Sequence, residues 1–227
     1  MMLLNHGYLY ILGNSLMYIL SFFAFVIGIK HRKRHNNLSH LFIYPFSSFL
    51  QNTISMIVFE SSFLGLTTRK NIESLSIHFF ILTEFVCIYL FFFKTSIMTS
   101  ASKIILAVLF VFFVSVYLDN WIKTDNFLKK IQRFYFLDSC LILIPCFLYL
   151  FQLFAKPPTM YLLREPSFWF NTGILIYLTL TLPVFFMIDY FRGRAMQDLI
   201  NDINFIGYCI VFSFLIKAFL CKSKTTI

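Results

Sequence analysis

The sequence predicts an all-α fold, a polytopic transmembrane helical bundle of about seven spans. Three observations predict it. Hydrophobic residues make up 59% of the chain and charged residues only 13%, against about 25% charged in a soluble domain. The mean hydropathy is +0.78, too apolar for water to be the solvent of most of the chain. The apolar residues also fall into stretches near the roughly 20 residues that cross a hydrocarbon layer, separated by short polar or basic segments. Seven spans with short connections use nearly all of the 227 residues. Residues 1–227 therefore read as a single transmembrane domain, without room for a separate soluble catalytic domain.

The first span is expected over about 8–29 and ends in the basic cluster Lys30, Arg32, Lys33 and Arg34. The second, about 41–59, leads into a polar stretch from Glu60 to Ser76. The third, about 77–97, contains the run Tyr89-Leu90-Phe91-Phe92-Phe93, and a short link leads to the fourth, about 104–118. A polar loop from Asp119 to Arg133, with Trp121 at an interface position, precedes the fifth span, about 134–155. Lys156-Pro157-Pro158 ends that span, because proline lacks the amide donor that a helix needs. Thr159 to Ser167 reads as a loop, and the sixth span covers about 168–188. Asp189 to Asp202 is polar, the seventh span covers about 204–220, and a short basic tail follows.

Met1 to Gly7 contains no Lys or Arg, and no small-residue cleavage site follows, so the first helix is expected to stay in the mature chain. Lysine and arginine concentrate on the cytoplasmic side of membrane proteins. With the N-terminus outside, the inner side holds ten: Lys30, Arg32, Lys33, Arg34, Lys94, Lys103, Lys156, Arg164, Lys222 and Lys224. The outer side holds eight: Arg69, Lys70, Lys123, Lys129, Lys130, Arg133, Arg192 and Arg194. The densest cluster follows the first span, which favours N-outside and C-cytoplasmic. The net charge of +9 thus sits at span ends, where its partner is the lipid bilayer and its anionic headgroups. No basic-aromatic groove for nucleic acid is present.

The five cysteines, Cys87, Cys140, Cys146, Cys209 and Cys221, fall in or at the inner ends of spans, where they read as small apolar packing residues. No HExxH, GxSxG, P-loop or GxxxG pattern occurs. His78 is the one histidine placed inside a span, too few for a convergent metal site. Neither metal nor cofactor is expected, and no enzymatic activity.

Polar side chains inside spans carry the functional information, because each must face the bundle or a cavity. Glu84 lies in the third span and Asp138 about one turn into the fifth. At a rise of ~1.5 Å per residue they sit roughly 5 Å and 9 Å outward of the midplane. His78 lies near the outer mouth of the third span and Asn204 near that of the seventh. Ser48, Gln51, Asn52 and Ser55 are spaced three and four apart, so they share one face of the second span. His78, Glu84, Asp138, Gln51, Asn52 and Asn204 are the candidates for an outward-facing polar pocket. The alternative is interhelical hydrogen bonding, worth about 0.6–2 kcal/mol per contact. Two carboxylates close together in such a pocket could not both ionise freely, which suits a protonation switch, a cation site or recognition of a basic ligand. Pro145 and Pro183 interrupt the fifth and sixth spans and allow bends.

These positions resemble a family of uncharacterised seven-span membrane proteins of Bacteroidota. The family has a histidine six residues before Glu-Phe in its third span, as in His78 and Glu84-Phe85 here. Its fifth span has an acid followed by serine, matched by Asp138-Ser139 with Asp in place of the usual Glu. Glu165-Pro166-Ser167-Phe168-Trp169-Phe170-Asn171-Thr172-Gly173 resembles the family's NPLFWINSG entry to the sixth span, and Leu175-Ile176-Tyr177 its LIY element. Thr181-Leu182-Pro183 departs from the family's glycine-asparagine, and Asn204 matches an asparagine early in its last span. The resemblance covers about residues 8–221 and implies a bacterial inner membrane protein. It also implies signalling with a sensor histidine kinase or another membrane partner, since such genes often lie side by side. Independently of the family, Phe168, Trp169, Asn171 and Gly173 form a structural motif. Trp169 would anchor the helix at headgroup depth, and Asn171, one turn deeper, needs a partner across the bundle. The expected function is a non-enzymatic sensor or signalling module. A proton- or cation-coupled transporter or channel and a lipid-acting membrane enzyme are the alternatives, and an oligomer is compatible with all three.

Overall fold

The computed structural model describes residues 2–32, 38–60, 65–123, 131–155, 162–187 and 194–221, without the side chains of 2–14, 59–60, 66–67, 70, 120–123, 131–133, 185, 187 and 194–201. The expectations for Lys33, Arg34, Lys129, Lys130, the Lys156-Pro157-Pro158 stop, Arg192 and the basic tail lie outside the described residues. Among those residues the regular structure is helical, with α1 Met2–His31, α2 Ile43–Glu60, α3 Leu66–Lys94, α4 Ser100–Lys123, α5 Ile131–Ala155, α6 Pro166–Met187 and α7 Arg194–Leu220.

Among the described residues, five stretches are long and apolar enough to cross a membrane: Asn71–Lys94, Ser100–Asp119, Phe134–Ala155, Pro166–Val184 and Asp202–Leu220. Ser15–His31 of α1 is a shorter apolar stretch, and α2 carries the polar stripe of Ser48, Gln51, Asn52 and Ser55. The helices outrun the expected spans. α3 begins at Leu66 rather than Ile77, α4 continues to Lys123, and α7 starts at Arg194 rather than Asn204. Much of the polar sequence expected to form loops is therefore helical. Hydropathy marks the part of a helix that suits lipid, whereas backbone hydrogen bonding continues past the headgroups into water.

Large apolar side chains cover the outside as well as filling the core, unlike in a soluble protein. Large apolar residues are exposed on α4 at Ile104, Val108, Val111 and Phe112, and on α5 at Phe147, Phe151 and Phe154, with Phe151 at 74%. Ser47, Ser48, His78, Glu84, Asp138, Ser139 and Asn171 are buried. A surface of this kind is stable only where hydrocarbon replaces water. The chain is a multi-pass membrane protein.

The chain forms two compact units, Met1–Phe49 with Met160–Ile227, and Leu50–Thr159. In the first, α7 packs against both α1 and α6. Its aromatic pairs run in opposite directions along α6 and α7, from Trp169–Phe214 to Tyr177–Tyr208, so these helices are antiparallel. Glycines on both helices set their separation. A Cβ at Gly173 would lie 2.6 Å from Phe214 Cβ, and one at Gly207 would lie 2.6 Å from Tyr177 Cδ2. Each glycine thus receives an aromatic side chain from the opposite helix, a close approach of the kind that small residues allow in membranes. At the start of α6, the Trp169 indole donates to the Leu163 carbonyl at 2.8 Å, and the Lys217 ammonium lies 5.6 Å from the ring centroid.

In the second unit α3 packs against α4 and α5. Ring contacts His78–Tyr117, Phe85–Phe113 and Tyr89–Phe110 descend one helix while climbing the other, so α3 and α4 are antiparallel. Contacts between α3 and α5 advance together, from His78–Phe134 to Phe92–Tyr149, so these two are parallel. α3 ends where the Thr95 amide bonds the carbonyls of Phe91 and Phe92. The turn that follows is fixed from α5. The Gln152 side chain accepts from the Thr99 amide at 3.0 Å and donates to the hydroxyls of Thr99 and Ser102.

Candidate functional site

The acidic site belongs to the second unit. Glu84 on α3 is 3% exposed and Asp138 on α5 is 2% exposed. The parallel pairing of these helices sets the two carboxyls at similar depth, within range of each other's charge. Tyr135 lies within electrostatic reach of both acids, and Tyr89 within reach of Asp138. Ser139, beside Asp138, is buried as well. Among the described residues, Asp138 Oδ1 has no hydrogen-bond partner although it is sealed from solvent. Burying such an oxygen costs free energy on the order of 1–3 kcal/mol, so it is a demanding feature for the fold to keep.

His78 closes one end of this region. Its ring stands edge-on to Tyr117 of α4 and Phe134 of α5, each 5.8 Å between centroids, and Tyr117 meets Phe134 at 5.4 Å. Phe134 is one turn before Asp138 on the same helix. Below Glu84, Phe85 stacks on Phe113 at 3.8 Å and on Tyr89 at 4.1 Å. Ring clusters drawn from three helices thus lie next to both acids along α3 and α5.

Tyr89 makes the most informative bond. Its hydroxyl donates to the Leu141 carbonyl at 3.0 Å, from α3 to α5. Leu141 is four residues before Pro145, which lies inside α5. In an unbroken helix the amide at 145 would donate to that carbonyl, and proline has none. Tyr89 therefore supplies the hydrogen bond that Pro145 removes. Sequence reasoning singled out Pro145 and placed Tyr89 only within an aromatic run. Counting four residues back from Pro145 locates the freed carbonyl, but nothing in the sequence names its donor.

The remaining candidates are distributed as follows. Gln51 and Asn52 lie on α2 in the second unit, half-buried, and among the described residues Asn52 Nδ2 and Ser55 Oγ have no hydrogen-bond partner. Asn204 belongs to the first unit, half-buried on α7, with its Oδ1 also without a partner there. Asn171 is fully buried on α6, and neither side-chain atom finds a partner among the described residues, contrary to the expected bond across the bundle. Asn171 follows Ser167 by four residues, so both lie on the buried face of α6, where the neighbouring positions Phe170 and Ile174 are apolar. None of the five cysteines forms a disulfide with another, and Cys87, Cys146 and Cys221 are buried. Among the described residues no three His, Cys, Asp or Glu side chains converge as metal ligands. Sequence reasoning missed Gln152, Gly207 and the role of Tyr89. Gln152 had a usable signal, being an amide inside an apolar span.

No family profile, curated protein or solved structure matches this chain.

Proposed function

We propose that this multi-pass membrane protein is a non-enzymatic sensor module whose ligand is the proton, exchanged at Glu84 and Asp138 and read out as helix movement by a membrane partner. The observation that carries this reading is the pair itself. Two acids on separate helices are sealed inside a lipid-exposed unit and lie within range of each other's charge. Intramembrane carboxylates are costly and mark functional sites. Burial of both groups to 2–3% exposure favours a proton over an organic ligand, since a proton can reach them along hydrogen bonds and transient water. His78, at the ring cluster one turn from Asp138, lies on the entry side when the N-terminus is outside. In that orientation the α3–α4 turn of this unit faces the cytoplasm of a bacterial cell, where a partner such as a histidine kinase would bind.

A proton relay for transport would use the same two acids, and one experiment separates the two. Protein in proteoliposomes is given a pH gradient while carboxyl infrared bands are followed in parallel. The sensor reading expects a carboxyl band that titrates and disappears in Asp138→Asn, with no net proton flux above empty vesicles. Flux that is lost in Glu84→Gln would convert the reading to transport. No titrating carboxyl band in the native chain would end both.

A further inference from the structure

The acid pair, the capped carbonyl and the Gln152 contacts lie in sequence along the interface between α3 and α5. Asp138 precedes Leu141 by three residues, so both lie on one face of α5. Glu84 precedes Tyr89 by five on α3. The bond from Tyr89 to Leu141 thus joins the two acid-bearing helices just below the acids, at the level where Pro145 has removed α5's own hydrogen bond. Beyond the proline, Gln152 holds α5 to the end of the α3–α4 turn at Thr99 and to the start of α4 at Ser102. α5 is fastened above and below its weakest point.

We propose that the Tyr89–Leu141 hydrogen bond is a releasable tie that couples the charge state of Glu84 and Asp138 to bending of α5 at Pro145, with the α3–α4 turn as the output. This rests on the acid-pair reading above and adds how the site is read. When both acids are charged, like charges on neighbouring helices push α3 and α5 apart in a medium that screens them weakly. Most of α5 resists bending by its own backbone bonds. At Leu141 the resistance comes from a single hydroxyl on the other helix, so separation of the helices breaks that bond first. The lower half of α5 then pivots at the proline, and Gln152 carries the movement to Thr99 and Ser102. The ionisable groups around the pair are His78, Cys87 and Tyr89 on α3, Tyr117 on α4, and Tyr135 and Cys146 on α5, while residues 50–58 of α2 contain none. Tyr89 touches the carbonyl, not the acids, and is a positioning residue.

The test uses the full chain in lipid nanodiscs, with native cysteines replaced and spin labels at the exposed positions Leu90 on α3 and Phe151 on α5. The native residues at the tie should give a label separation that shifts between acidic and alkaline pH. Tyr89→Phe keeps the stacked ring and loses only the hydroxyl, and should give the alkaline separation at every pH. Adding Pro145→Ala restores an amide to bond Leu141, and should give the acidic separation at every pH. A Tyr89→Phe protein that shifts like the parent, while Asp138→Asn abolishes the shift, overturns the tie and leaves the acid pair standing. An Asp138→Asn/Glu84→Gln protein that still shifts like the parent overturns the acid pair itself. A parent that shows no shift although its carboxyls titrate by infrared also overturns the tie.

Discussion

Removing one hydroxyl at Tyr89 should destabilise the protein in proportion to what Pro145 has left undone. In Tyr89→Phe the ring keeps its stack on Phe85, 4.1 Å between centroids, and its contact with Phe110 at 6.0 Å. The loss is confined to the 3.0 Å bond on the Leu141 carbonyl. A buried carbonyl without a donor costs about 1–3 kcal/mol in soluble proteins, while hydrogen bonds between membrane helices average about 0.6 kcal/mol and reach about 1.7. The structure favours the upper part of the membrane range. Tyr89 is fully buried and Leu141 largely so, and the proline denies α5 any replacement. The expected cost is about 1 kcal/mol, roughly a fivefold change in the folded-to-unfolded ratio. Reversible unfolding in mixed micelles, followed by circular dichroism, measures it. The decisive comparison repeats the substitution in a Pro145→Ala background, where the new amide can bond Leu141. Tyr89→Phe should then cost only a few tenths of a kcal/mol, the difference being the coupling energy of a double-mutant cycle. Equal costs in both backgrounds would refute the claim that Tyr89 substitutes for the missing amide.

Two further outcomes follow from the packing. Gly173→Ala places a methyl group 2.6 Å from Phe214 Cβ and should cost about 1–3 kcal/mol through overpacking; Gly207→Ala, facing Tyr177, should behave alike in the same unfolding assay, and a neutral effect at both would mean that α6 and α7 are not closely apposed. Gln152→Leu removes the bonds to Thr99 and Ser102 and should speed amide hydrogen exchange at Thr99 at least several-fold, while unchanged exchange would remove Gln152 as the fastening of that turn.

The fold was legible because apolar stretches of the right length leave a helix as the way to satisfy backbone groups in lipid. The ends were not, since α3 and α7 begin in polar sequence that can be helical in water as readily as it can be a loop. The burial of Glu84 and of Asp138 was legible for the same reason that they are costly: an acid in a span has to turn inward. Asn171 shows the limit of that rule. Its burial was readable from its depth in α6, but the expected partner was not found, because depth does not specify what stands opposite. Gly207 and Tyr177 illustrate the same gap, as their contact depends on the register between α6 and α7. Tyr89 was hidden among aromatic neighbours, and its part emerges only once the α3–α5 pairing sets it level with the carbonyl that Pro145 frees.

The most direct test of this account is an experimental structure of the chain in a lipid nanodisc, read at the carboxyls of Glu84 and Asp138. The account predicts that the two turn toward each other between α3 and α5, within about 10 Å, where charges still interact appreciably in a protein interior. Carboxyls directed into the acyl chains, or lying well beyond that separation in unconnected packing, would contradict it.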